Sequence, residues 1–469
     1  MKTISQALAT GIAMLALFWT RGFAQQHDTD FVVTAAPVYK QLAELRGGER
    51  FPNGARLLLV HNGKAEPLAP EFAASADADV SFDGNWVIFA GKKNVGDAWQ
   101  IWEMNLQDRK VRSVVATKTD AARPLYLPGG RLVWAQRTAN GFELDSTEDS
   151  RRREAPPLNP TAGPGITPLT YLRGSAFPTG VLRDGRILFE AGFPFGAAAS
   201  PEIYLVYADG SGVESYRCDH GRGRWGARQL ASGDVVFTHG TTLGRFSSPL
   251  AHEAQVAAPM AHYAGSIAET EAGEWLLSAR QAGQAHYAIS RLNPGAAAHA
   301  QAARLAPVLA VPGSDLVDPV LVVARARPNR HPSGLHPWSY ANLLALDARI
   351  SRDGMLREQP AEVRLEVQDS EGRAVVAGKA PVEKDGSFYV RVPGDRSIRF
   401  SLLDKKGAVI RQELGWFWAR GGEQRYCVGC HAGPERGPEN HVPAVLMRST
   451  TPTDLTDLKK ILSAAQGGQ

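Results

Sequence analysis

Toward the end of the 469-residue chain the sequence reads Cys427-Val428-Gly429-Cys430-His431. Two thiols three positions apart in a tight turn, followed at once by an imidazole, form the attachment signal of c-type haem. The spacing lets both thiols reach the vinyl groups of one porphyrin as thioethers. It also brings the histidine close to the iron on the same face, and Gly429 between the cysteines permits the turn. With three Cys and 12 His in the chain, random placement would produce this pattern roughly 5 × 10⁻⁴ times. The same residue types suit a zinc site or a redox dithiol. Zinc would want a second Cys or His pair, for which Cys218 with His220 is the one option of that type. A thioredoxin-like dithiol would want a βαβ context, which the surrounding pattern lacks. The reading is therefore one covalent haem c, attached at Cys427 and Cys430, with His431 as proximal iron ligand.

The sixth iron position has three candidate states. Met447 as distal ligand would raise the reduction potential, His441 would keep it lower, and an open position would allow ligand chemistry. The stretch from His431 to His441 contains Gly433, Pro434, Gly437 and Pro438 and reads as a loop. Trp416, Phe417, Trp418 and Tyr426 are either walls of the haem site or ordinary core aromatics. Arg425, Arg436 and Arg448 are candidate propionate partners, and nothing in the sequence selects among them. Cys218 reads as a buried inert thiol. It sits in a Gly- and Arg-rich stretch that suggests a loop at the mouth of a propeller, where His220 and His239 are further polar candidates.

The elements that must position these residues are mostly strands. Plentiful Gly (47) and Pro (30) favour many turns, and 469 residues exceed what one hydrophobic core usually serves. A repeat runs from about residue 55 to 325: a turn containing Gly, then a short apolar run. The copies end in Gly84 (then WVIFA), Gly130 (RLVWA), Gly185 (RILFEA), Gly233 (DVVFTH) and Gly273 (EWLLSA), at gaps of 46, 55, 48 and 40. Propeller blades recur at about 40–50 residues with four short strands each. Second strands are predicted at Trp99 to Met104, Ile203 to Asp209 and Tyr287 to Asn293. The apolar runs Leu57 to His61 and Val320 to Ala324 flank the array and are expected to share one closing blade, which makes about six blades.

The Pro-rich stretch 327–338 reads as a linker. Beyond it, short runs at 343–350, 363–367, 374–377, 388–392, 398–403 and 409–414 predict a small β-sandwich-like module that leads into the haem motif. Leu455, Leu458, Ile461 and Leu462 fall on one helical face and predict a short C-terminal helix. The expected fold is mainly β: a propeller of about six blades over 25–326, a linker over 327–338, and a c-type haem module over 339–469.

The first 24 residues read as a secretory signal. Lys2 supplies the positive end, Ile12 to Trp19 the apolar core, and Gly22-Phe23-Ala24 a cleavage site after Ala24. That core is much shorter than the roughly 18–20 residues of a spanning helix, and no other stretch is a candidate span. The mature protein is expected in the periplasm or otherwise exported. Loss of Lys2 and Arg21 takes the formal charge from +4 to +2, too weak for nucleic acid or an anionic lipid surface. The expected partners are a redox protein or a small-molecule substrate.

The order of motifs resembles the hydrazine synthase alpha-subunit-like family. The likeness is carried by DGSFYVRVPGD, SIRFSLLDKKGAVI, GWFWARGGE and RYCVGCH, most specifically from Pro381 to His431. It implies a six-bladed propeller ahead of a middle domain that binds c-type haem through Cys427 and Cys430. It also implies an open iron position where small nitrogen species react, and a multi-subunit setting. The family's alpha subunit bears a second c-type haem in a further domain, and this sequence holds no second Cys-x-x-Cys-His. Two readings of function follow. One is a haem enzyme acting on a small nitrogen ligand. The other is an exported electron-transfer or propeller scaffold protein without catalytic activity of its own.

Overall fold

The computed structural model describes residues 30–147, 165–192, 200–217, 222–249, 251–294, 304–351, 354–413, 415–429 and 440–457. Cys218, His220, Cys430, His431, Arg436 and the N-terminal signal lie outside these residues.

Among the described residues the first part of the chain forms six four-stranded antiparallel sheets. Five are built from consecutive strands, and each of the five Gly turns joins the first strand of a sheet to its second. In the second sheet, Ala74–Val80 turns through Gly84 into Trp86–Lys92, followed by Gln100–Asn105 and Val111–Val115. The turn glycines have φ between 75° and 97°, a backbone region that β-carbons disfavour. The apolar runs after them are the second strands, largely buried in each sheet. The predicted later strands at 99–104, 203–209 and 287–293 also fall on strands.

The remaining sheet lacks the Gly turn because its first two strands come from opposite ends of the array. Asp315–Leu321 pairs antiparallel with Phe31–Ala36, which pairs with Arg56–His61 and then Lys64–Pro67. The two flanking runs thus share a sheet, as expected. Phe31–Ala36, fully buried between them, escaped the sequence reading. The first strands of the six sheets touch in sequence and return to the start, so they form a closed ring around an axis. This is the propeller-like arrangement that the repeat predicted.

The segment 327–338 is extended and pinned along its length. The Asn329 amide donates to Arg183 O at 2.8 Å, and the His331 ring stacks on Tyr207 at 4.0 Å. A β-carbon on Gly422 would lie 2.0 Å from His336 O, so only glycine lets the two chains cross there.

Two further four-stranded sheets follow. One orders Gln424–Cys427, Tyr340–Ala345, Phe388–Pro393 and Thr453–Asp454. The other orders Ala374–Pro381, Glu362–Gln368, Ile398–Leu403 and Val409–Gln412. Leu343, Val390, Val363, Leu365 and Ile398 fill the space between them, as in a sandwich. Phe388, Val390 and Val392 are buried while Tyr389 and Arg391 are not, the alternation read from sequence.

The helix expected from Thr453 does not begin there. Thr453–Asp454 pairs in parallel with Val390 and Arg391, Asp454 bonds the Thr456 amide at 2.9 Å, and Leu455 is buried in the sandwich core. A carboxylate that turns the chain locally competes with helix, and the core takes Leu455 from the helical face. The short helix found is Ala444–Arg448; residues 458–464 lie outside the described set.

The sandwich is fastened to the ring of sheets. Trp418 is fully buried among Leu169, Phe177, Phe189 and Val206, and its Nε1 donates to Gly210 O at 3.0 Å. Arg420 donates to Pro168 O at 2.9 Å and to the Tyr171 hydroxyl, and Glu423 accepts from the Gly212 amide at 3.1 Å. Arg173 reaches Asp369 O at 3.0 Å and Ser370 O at 2.6 Å. Trp418→Ala should cost about 3–5 kcal/mol, the range for emptying a buried aromatic site. Thermal unfolding should show a lower midpoint, and limited proteolysis should show faster cleavage within 327–338. An unchanged midpoint and cleavage rate would mean that Trp418 does not hold the two parts together.

Candidate functional site

Cys427 closes the edge strand Gln424–Cys427, which lies parallel to Tyr340–Ala345 with Cys427 opposite Ala345. Its carbonyl accepts from the Leu346 amide at 2.8 Å. The side chain packs against the sandwich core. Burial pushes the thiol above its ordinary range, with Arg425 pulling part of the way back. A thiol so placed resists ionisation and casual oxidation.

After Cys427 the chain runs tightly over a neighbouring turn. A β-carbon on Gly429 would sit 2.8 Å from Ile350 O and 2.9 Å from Asp347 O, so it is close packing that requires glycine there. The same end of the sheet gathers the other predicted ligands. Ala345 faces both Cys427 and Phe388 in register, a row of three strands about 10 Å wide. The turn before Phe388 lies against 347–349: the Ala348 amide donates to Gly386 O at 2.8 Å, and Arg349 Nη1 donates to Lys384 O at 3.0 Å.

Asp385, in that turn, holds the segment that carries His441. Its Oδ2 lies 3.2 Å from His441 Nε2 and accepts from the Ala444 amide at 2.7 Å, while Oδ1 accepts from the Ser387 amide and hydroxyl. Partial burial raises this carboxyl, but these donors outweigh it and bring it to about 2, so it is ionised across ordinary pH. A carboxylate on one imidazole nitrogen is the usual way a ligating histidine is oriented. Met447, on the helix Ala444–Arg448, is 78% exposed. His441 and Met447 thus stand at the same end of the sheet as Cys427, His441 tethered and Met447 projecting into solvent.

The surface here is apolar in patches. Tyr426 (71% exposed), Val442 (64%) and Met447 flank the motif together with Val428. A flat apolar group at this end of the sheet would cover such side chains, and in that respect the described residues fit a haem; the Cys427 side chain itself packs on the core side of its strand, opposite Tyr426. Of the other candidates, Arg425 and Arg448 stand at this end with their guanidinium groups engaged, and the rest are placed elsewhere. Trp418 and Phe417 pack at the junction with the ring of sheets, and Trp416 carries the Arg399 guanidinium over its ring at 4.5 Å. Arg425 donates to Val213 O and to Trp418 O, and Arg448 bonds Glu383 at 2.5 Å. His239 is held by Glu253 at 2.8 Å. Of the four aromatics, Tyr426 remains at the motif surface.

A second polar centre escaped the sequence reading. In all six ring sheets the inner strand bulges relative to its partner, at Asp77, Arg123, Thr179, Gly226, Gly265 and Asp318 or beside them. Asp77, Arg123 and Asp318 hold positive φ there, which costs about 1–3 kcal/mol each unless neighbours fix them. The neighbours are charged. Arg50 pairs with Asp77 at 2.7 Å and with Asp318, and Arg123 pairs with Glu44 at 3.0 Å and with Glu190. Burial pushes Glu44 up to about 7 against the pull of Arg123. Burial likewise raises Asp318, but Arg50 and Arg123 outweigh it and leave the carboxyl below its ordinary value. The available signal was spacing: Asp77 and Arg123 each stand seven residues before the turn glycine of their sheet.

Residues 347–432 match the family model described as the hydrazine synthase alpha subunit middle domain. Hydrazine synthase subunit alpha of Kuenenia stuttgartiensis is 29% identical over 99 residues, which is 19% of this chain and 12% of that protein. The solved structure of Kuenenia stuttgartiensis hydrazine synthase aligns over 90% of this chain and 71% of its own, with a TM-score of 0.76 at 17% identity. TolB from Acinetobacter baumannii aligns over 63% of this chain and 67% of its own, with a TM-score of 0.44 and 10% identity. Over residues 347–432 the sequence is similar to the hydrazine synthase alpha subunit middle domain, and over nine-tenths of its length the chain shares the fold of a hydrazine synthase chain.

Proposed function

We propose that this is an exported protein carrying one covalent haem c on Cys427, Cys430 and His431, with redox or small nitrogen-ligand chemistry at that haem. The observation that carries the reading is the placement of Cys427. It ends an edge strand at the sandwich rim, inside the segment that matches the hydrazine synthase middle domain, and Gly429 threads the chain past the 347–350 turn.

Cys427 and Cys430 would hold the haem, each S–H adding across a vinyl C=C to give a thioether, and His431 would offer an imidazole nitrogen to the iron. Cys427 anchors the attachment to a strand whose backbone is bonded on its inner side. Asp385 keeps His441 and the start of the following helix against the same end of the sheet. When bound, the haem supplies a one-electron redox centre with a sixth position that takes a small ligand or a side chain. A redox partner protein and a larger multi-subunit assembly belong to this reading. Among the described residues no helix is long and apolar enough to cross a membrane.

Protein made with a c-type maturation system should keep its haem colour in the protein fraction after acid–acetone extraction. The double variant Cys427→Ser with Cys430→Ser should lose it. Haem that extracts freely from the unaltered protein would overturn the proposal.

The tether between Asp385 and His441 favours a second reading, an electron carrier whose sixth position is filled. Ferric electron paramagnetic resonance and ferrous carbon monoxide binding separate the two. A high-spin spectrum with rapid carbon monoxide binding, both unchanged by His441→Ala and Met447→Ala, is expected for the nitrogen-ligand enzyme. A low-spin spectrum that turns high-spin in one of these variants would identify the sixth ligand and favour electron transfer.

A further inference from the structure

At the centre of the ring of sheets lies a cavity of about 50 Å³, lined by Arg50, Asp77, Arg123, Glu190, Arg228 and Asp318, and also by Trp225. This is room for more than one water-sized group. The segment from Tyr39 to Arg50 reaches across to several sheets at this centre. The Tyr39 amide donates to Asp315 at 2.9 Å, Gln41 to Tyr263 O at 3.3 Å, and Arg50 to Asp77 and Asp318.

The hydrogen bonds around the cavity are unevenly satisfied. Each of its three carboxylates spends one oxygen on an arginine and the other on a backbone amide of an adjoining sheet. Asp77 accepts from Arg50 at 2.7 Å and from the Arg123 amide at 3.2 Å. Asp318 accepts from Arg50 and from the Ser266 amide at 2.8 Å. Glu190 accepts from Arg123 and from the Gly226 amide at 2.9 Å. Asp79, the other acid near Arg228, is held by Arg325, whose Nη2 is 2.9 Å from both of its oxygens, and by the Tyr126 amide. None of these carboxylates bonds the Arg228 side chain.

Arg228 is accordingly the cavity's unmatched cation. Among the described residues its side chain has no ion pair or hydrogen bond, and its buried Nε lacks a partner, as does the buried Trp225 Nε1. Burial lowers the Arg228 guanidinium from its ordinary value, with Arg325 adding to that and Asp79 and Asp318 opposing it. An unpaired buried donor is costly, more so when charged. What the cavity lacks is an acceptor.

We infer that the propeller axis is a binding site for a small oxyanion, a carboxylate or an inorganic oxyanion, held by the Arg228 guanidinium and the Trp225 indole N–H. A planar guanidinium suits two oxygens of such an ion, and the indole supplies a third donor. The site is independent of the haem reading and needs none of the motif residues.

The test is calorimetric titration of the full-length protein with sodium acetate, sodium nitrate and sodium phosphate in turn, against sodium chloride at matched ionic strength. The Soret band is recorded alongside to separate ligation at iron. One saturable site for at least one of the three is expected, with the Soret band unmoved. Acetate alone would name a carboxylate ligand; nitrate or phosphate would name an inorganic one. Arg228→Gln should weaken binding at least tenfold, and Trp225→Phe, which removes a donor and keeps the charge, should weaken it severalfold. If Arg228→Gln does not fold, Trp225→Phe decides. No saturable site for any of the three, or unchanged affinity in the folded variants, would overturn the inference.

Discussion

The antiparallel pairing of Phe31–Ala36 with Asp315–Leu321 is the contact on which the rest of the structure depends. A ring of sheets closes when its first and last sheets are joined, and this pairing joins the two ends of the array. It brings Asp318 next to Arg50 and so completes the charged centre on the axis. It also returns the chain to a point from which 327–338 can run along the ring, past Arg183 and Tyr207, to the sandwich.

From that ring outward, polar groups do as much positioning as the apolar core. Around the axis, bulged inner strands leave backbone amides without ladder partners, and Asp77, Glu190 and Asp318 accept from them across sheet boundaries. At the junction, Arg420, Glu423 and Arg425 bond backbone groups of the ring while Trp418 fills its apolar pocket. The haem-motif strand therefore follows directly from residues locked to the propeller. Cys427 is held by its strand pairing and by the sandwich core, and the segment carrying His441 by the turn around Asp385.

Several of these features were legible in the sequence, for identifiable reasons. A turn that needs positive φ selects glycine, and a buried second strand selects an apolar run, so Gly84, Gly130, Gly185, Gly233 and Gly273 marked five sheets. The sixth has no such mark, since its first two strands are separated by almost the whole array. Phe31–Ala36 went unread for the same reason. The alternation in Phe388–Pro393 was visible because one face is buried and the other is not. What could not be read was the use of Trp418: an aromatic beside a haem motif suits a haem wall and a junction equally, and only the long-range contact with Gly210 separates them. Leu455 misled for a similar reason, since its apolar face is claimed by the sandwich core through a strand pairing. The axis charges are scattered over nearly 280 residues from Glu44 to Asp318, and only their spacing from the turn glycines relates any of them.

The haem attachment is the central claim, and peptide mapping tests it most directly. Trypsin cleaves after Arg425 and Arg436 and so releases residues 426–436, which contain Cys427, Cys430 and His431 and no other cleavage site. Mass spectrometry of a digest of the matured, exported protein should find this peptide carrying one haem through both cysteines. The same peptide recovered with two free thiols, or with a disulfide between them, would contradict the account.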